Sequence, residues 1–102
     1  MINLSSLQRS YLRSQAHHLE PVILIGKNGI TDGTIEAVNK ALNARELIKI
    51  KFRDFKDNKQ SISDEIAASA NCQVVGVIGH TVILFRQIFD PEKQNIRLPS
   101  IK

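Results

Sequence analysis

Residues Leu47 to Arg53 alternate. Ile48, Ile50 and Phe52 fall on one parity, Lys49, Lys51 and Arg53 on the other. A period of two belongs to a β-strand, so the first set enters a core and the second leaves together on the opposite face. This constrains the fold more than any other stretch. A sheet must form, and helices must cover mainly one of its faces, because three cations in a row cannot all be buried. Two explanations of the cationic row stay open: it blunts an exposed strand edge, or it meets an anion.

The other elements fall into order around that strand. Leu4 to Leu19 reads as a helix, with Leu4, Leu7, Tyr11, Leu12, Ala16 and Leu19 on one face. Ser5 followed by Gln8 is a capping-box pattern. Pro21 stops the helix, since the residue before proline is pushed out of the α region. Val22 to Ile25 is a short β-branched run and predicts a strand. Thr31 is the expected N-cap of a second helix, which buries Ile35, Val38 and Leu42 and ends around Arg45-Glu46. Asp54 to Asn58 is a polar loop. A third helix runs from about Lys59 to Ala70, with Asn71 as its C-terminal cap. Val74 to Ile78 and Val82 to Phe85 form a hairpin across Gly79-His80, where glycine at the first position fits a type II′ turn. A polar tail follows from Asp90, in which Ile96-Arg97-Leu98 is expected to add a short edge strand.

The order is therefore α-β-α-β-α-β-β. The expected fold is α/β (α+β) in two layers, with a mixed four-stranded sheet. One domain spans residues 1–99, and 100–102 are a tail.

Between the first predicted strand and the second helix lies Gly26-Lys27-Asn28-Gly29. In that position, backbone N–H groups and a helix N-terminus can point at an anion. Glycines at both ends permit close approach, Lys27 adds charge, and Asn28 tolerates positive φ. An ordinary turn explains the same four residues, because G-x-x-G fixes only two positions.

Charge sharpens the question. The net charge is +4, and the whole surplus lies between Lys40 and Lys59, where seven basic residues face three acids. A local surplus suggests an anionic partner, although a solvated face gives the same count. Arg9, Arg13 and His17, spaced four apart, form a second polar stripe on the first helix, open to both readings. No run approaches the ~20 apolar residues of a membrane helix, no signal-peptide pattern is visible, and a single cysteine, Cys72, fits a reducing compartment. A cytoplasmic monomer with no membrane partner is expected.

At this point the residues resemble the CRM domain, named for chloroplast RNA splicing and ribosome maturation, in its small stand-alone bacterial YhbY form. Tyr11-Leu12-Arg13, Ala16-His17-His18-Leu19, Pro21-Val22 and Ile25 to Gly29 carry the resemblance. It continues through Ala41-Leu42, Arg45 to Lys51, Val77-Ile78-Gly79 and Leu98-Pro99. Arg53-Asp54-Phe55 and Asn71-Cys72 match it less well. The resemblance implies a fold like the C-terminal domain of bacterial translation initiation factor three. It also implies RNA as partner, in precursors of the large ribosomal subunit, and a glycine loop likened to the GXXG loop of KH domains, which clamps the nucleic-acid backbone.

No catalytic set stands out. The glycine stretch is not the G-x-x-x-x-G-K-[ST] of a P-loop, so no ATP is implied. His17 and His18 are about 100° apart on a helix and His80 is alone, which makes no metal site. With four Phe, one Tyr and no Trp, a sheet of stacking aromatics is not expected. The expected function is non-catalytic binding of ribosomal RNA, without cofactor, in large-subunit assembly. The RNA-binding residues would be Gly26, Lys27, Asn28, Gly29, Lys49, Lys51, Arg53, Arg9 and Arg13. The alternative is a protein-interaction module that docks on a ribosomal protein, its basic face merely solubilising.

Overall fold

The computed structural model describes residues 3–99. The elements are α1 (Ser6–Ala16), β1 (Ile23–Ile25), α2 (Asp32–Arg45), β2 (Leu47–Phe52), α3 (Lys59–Ala70), β3 (Gln73–Ile78) and β4 (Thr81–Phe85). Single 3-10 turns stand at Lys56–Asn58 and Pro91–Lys93. The strand order is β1-β2-β4-β3. β1 runs parallel to β2, and the other two pairings are antiparallel. The expected element order and mixed four-stranded sheet are present.

Local chemistry places the ends. Ser5 and Gln8 form a complete capping box, and Thr31 caps α2 with Thr34 as its partner. Asn71 closes α3 in the left-handed region. Gly79 takes φ +58 while His80 does not take positive φ, as a type II′ turn requires. α1 is shorter than the Leu4 to Leu19 expectation. Its last turn tightens, with the His17 N–H on the Ser14 carbonyl and the Leu19 N–H on that of Ala16. The Lys49 ammonium then takes the His17 and Leu19 carbonyls, at 3.5 and 3.0 Å, satisfying acceptors that a longer helix would have used.

The sheet buries both faces. Ile48, Ile50, Phe52, Val82 and Leu84 pack with α2 and α3 through Val38, Leu42, Ile66 and Ala70. On the opposite face, Leu47, Val75, Ile83 and Phe85 pack with Leu12 and Ala16 of α1. The two-layer description thus holds for α2 and α3 on the sheet and needs one addition. α1 covers one end of the second face and leaves the other end, beyond Lys49, open.

The short edge strand expected at Ile96-Arg97-Leu98 is absent: these residues carry no ladder. Ile96 and Leu98 instead pack into the second core beside α1. Their segment is held by a side chain, since the fully buried Glu46 carboxylate accepts the N–H groups of Ile88, Asn95 and Ile96.

Candidate nucleic-acid interface

The Gly26–Gly29 stretch closes on itself, with the Gly29 N–H donating to the Gly26 carbonyl at 3.0 Å. Lys27 and Asn28 do not take positive φ, and Gly29 takes φ +62. That combination is a type I turn followed by a left-handed residue. The positive φ expected to be tolerated at Asn28 thus falls on Gly29. Negative φ followed by positive φ makes successive N–H groups converge into an anion-binding nest. Among the described residues, no backbone acceptor takes the N–H of Lys27 or Asn28, and both residues are exposed.

The adjoining end of α2 contributes less than expected. The Thr34 N–H is taken by Thr31 Oγ1 and the Ile35 N–H by the Thr31 carbonyl. Asp32 puts a carboxylate in the first turn, which answers the helix dipole itself. An anion belongs on the turn rather than on the helix end.

The exit of β2 is fastened to the base of this turn. The Ile25 carbonyl accepts two N–H groups, from Arg53 at 2.9 Å and Asp54 at 3.1 Å. Arg53 therefore lies over Gly26, where a Cβ would come within 2.9 Å of its guanidinium. Its partner Asp54 is 3.6 Å away, with both side chains substantially exposed, so the pair is weak and leaves the guanidinium free to turn. Phe55 covers Gly29, where a Cβ would meet the ring at 3.4 Å. Both glycines thus face side chains of the same short segment, Gly26 those of Arg53 and Asp54 and Gly29 that of Phe55.

From the turn a track runs across the open end of the second sheet face. Its first cleft, about 380 Å³, is lined by the four turn residues with Leu24, Thr31, Thr34 and Arg53. Leu24 also lines the next, with Lys51 and Pro21 to Ile23. Pro21 in turn joins a third, about 380 Å³, which holds Lys49, His17, Arg13 and Thr81. Register explains the alignment: Leu24 pairs with Lys51, and Lys51 with Thr81. Eight of the nine expected residues lie on this track. Arg9 does not: its guanidinium donates to the Val74 carbonyl at 2.7 Å, tying α1 to β3. Arg13 crosses the same strand at Gly76, where a Cβ would sit 3.2 Å from its stem. Lys49 is on the track but tethered to the end of α1.

The charge surplus does not gather in one place. Lys40 and Arg45 belong to α2, on the other side of the sheet, where Lys40 pairs with Glu36 at 3.5 Å. Lys59 reaches the hairpin turn and donates to the Gly79 carbonyl. Of the seven, Arg53, Lys51 and Lys49 line the track, and Lys27 adds a cation from outside the surplus. Leu24, Thr31 and Phe55 are neighbours that sequence reasoning missed. Leu24 is 51% exposed, on the parity of β1 opposite the buried Ile25.

Cys72 is buried, and burial pushes its thiol up to about 11 despite the nearby Arg86. A thiol that stays protonated at neutral pH is not a nucleophile. No helix among the described residues is long and apolar enough to cross a membrane.

Comparison with known proteins settles the relationship. The CRS1/YhbY (CRM) domain matches residues 4–86. The chain belongs to this family. YqeI of Bacillus subtilis is 35% identical over 97 residues, covering 94% of this chain and 99% of YqeI. A Haemophilus influenzae relative named an RNA-binding protein is 38% identical over 100 residues, covering 97% and 98%. The solution structure of the Staphylococcus aureus protein SAV1595 superposes with a TM-score of 0.79 at 32% identity. That superposition covers 95% of this chain and all of the other. The CRM match takes in the glycine turn, β2 and the first helix, hence the entire track.

Proposed function

We propose that this chain is a non-catalytic, cytoplasmic RNA-binding protein that grips the RNA backbone and assists assembly of the large ribosomal subunit. The observation that carries RNA binding is the continuous track, which begins at the Lys27 and Asn28 N–H groups that no backbone carbonyl among the described residues takes, and passes Arg53, Lys51 and Lys49. A polymer with one phosphate per residue suits a line of separate cationic positions better than a compact anion does. The name of the Haemophilus relative agrees. The ribosomal part rests on the CRM resemblance. Crosslinking in cells with sequencing of the attached RNA tests it, and recovery of messenger or transfer RNA in place of large-subunit RNA would overturn it. Capture of ribosomal proteins with no RNA attached would favour the docking-module reading.

Phosphate gripping has a salt signature. Each phosphate neutralised on a single strand contributes about −0.7 to the slope of log K against log salt. With about four contacts the slope should be near −3. A slope near zero would remove the electrostatic basis.

The strand cations should divide by their tethers. Lys51 and Arg53 are exposed, so replacing both by Gln should weaken RNA binding with an unchanged melt. Lys49 caps α1, so Lys49→Gln should lower the melt by the equivalent of about 1 kcal/mol, a typical helix-end contribution. If Lys51→Gln with Arg53→Gln leaves affinity intact, the row is edge protection.

A further inference from the structure

Phe55 stands in the left-handed region at φ +58. A bulky residue rarely does so, because its Cβ crowds the backbone. The ring is also 43% exposed. The chain thus places an aromatic where backbone sterics disfavour it and where burial rewards it only in part. Strain of this kind persists where surrounding structure enforces it, and it clusters at ligand sites. Here the enforcement is visible: the Arg53 and Asp54 N–H groups are locked on Ile25, and the Asn58 N–H donates to the Phe55 carbonyl. The ring's Cδ2, Cε2 and Cζ edge faces Gly29, within 3.4 to 3.9 Å of where a Cβ would be.

We infer that Phe55 is a stacking platform for one unstacked base of single-stranded RNA, the base of the nucleotide whose phosphate sits on the glycine turn. The inference rests on the proposed phosphate grip. It adds a contact of a different kind, to the base instead of the backbone. A π-face accepts any base, so the contact should raise affinity for single strands without imposing a sequence. Gly29 then has a double function. It supplies the positive φ of the turn, and its missing side chain lets the ring lie close to the bound phosphate.

The test uses the full chain and three probes: a single-stranded RNA octamer, the same octamer with an abasic ribose at each position in turn, and inorganic polyphosphate as a probe of charge alone. Phe55→Asn removes the ring and tolerates positive φ. Phe55→Leu keeps the apolar seat on Gly29 and serves if Asn lowers the melt. Either should lose about tenfold on the octamer, roughly what one stacked base contributes, and nothing on polyphosphate. One abasic position should reproduce the loss in the parent chain and add nothing in the variants. Phe55→Trp should bind at least as well. The chain has no other tryptophan, so its emission should be quenched by RNA and unaffected by polyphosphate. Octamer affinity within twofold of the parent in both ring-less variants would overturn the inference, as would equal losses on RNA and polyphosphate. If Lys27→Asp with Asn28→Asp abolishes binding while the Phe55 variants bind normally, the stacking inference alone fails. If that loop variant also binds normally, the phosphate grip fails and the inference falls with it.

Discussion

Lys27→Asp combined with Asn28→Asp should abolish RNA binding and leave the fold in place. Both side chains are exposed on a turn, and aspartate is at home in turns. Gly26 and Gly29, which close the turn by the 3.0 Å hydrogen bond, are retained. The stability change should stay within about 1 kcal/mol, the range of surface substitutions. The effect on RNA should be larger. One cation is lost and two carboxylates are set against a phosphate. A charge pair at ~4 Å is worth about 1 kcal/mol in bulk water and about 4 near a protein surface. Even the lower figure, taken over the charges changed, exceeds the ~1.4 kcal/mol that means tenfold. Asp32 and Asp54 already border the turn, so the added carboxylates would reverse the local sign. A melt and a binding isotherm on the same preparation decide it. An intact melt with less than a threefold loss would make the turn an ordinary one.

Much of the fold was legible because short-range chemistry fixes it. The alternation at Ile48 to Arg53 gave β2 and its faces. Ser5 with Gln8, Thr31, Asn71 and Gly79 marked four boundaries by capping and backbone conformation, signals that act within four residues. What stayed hidden depends on contacts far apart in sequence. The apolar stripe of α1 predicts burial but not against which face. The clue lay elsewhere, in the continuous runs Val74 to Ile78 and Val82 to Phe85, since a strand apolar at both parities must be covered on both sides. Arg9 had the spacing of a stripe, yet its guanidinium bonds to Val74, 65 positions away. Phe55 counted as one of few aromatics in a polar loop. Its place over Gly29 follows from the β2 exit being tied to Ile25, a pairing that no local pattern shows.

The largest loss of stability should come from Glu46, at the junction of α2 and β2. Its side chain is fully buried, and three backbone N–H groups converge on it, from Ile88 at 2.7 Å, Ile96 at 2.9 Å, and Asn95. Its own carbonyl accepts the Arg86 N–H at 2.9 Å. One residue thus fixes the path of the chain after β4. Glu46→Ala strands three donors, each costing about 1–3 kcal/mol when buried unpaired. Release of the tail would satisfy them with water but would strip Ile96 and Leu98 from the second core. That exposes Leu12 and Ala16, and it removes the Pro99 carbonyl that Gln8 bonds at 3.1 Å. Either route should cost at least ~3 kcal/mol. At about 4–8 °C per kcal/mol for a domain of this size, the melt should fall by more than ~12 °C. Glu46→Gln keeps the shape but turns an amide N–H₂ toward donors, so it should lose less than alanine and still lose clearly. Amide exchange separates the routes: Ile88, Asn95 and Ile96 should lose protection first, α1 next, and the α2–α3 side of the sheet last. A loss below 1 kcal/mol for Glu46→Ala, or unchanged protection at those three amides, would show that the tail is held by its apolar contacts and that the carboxylate is incidental.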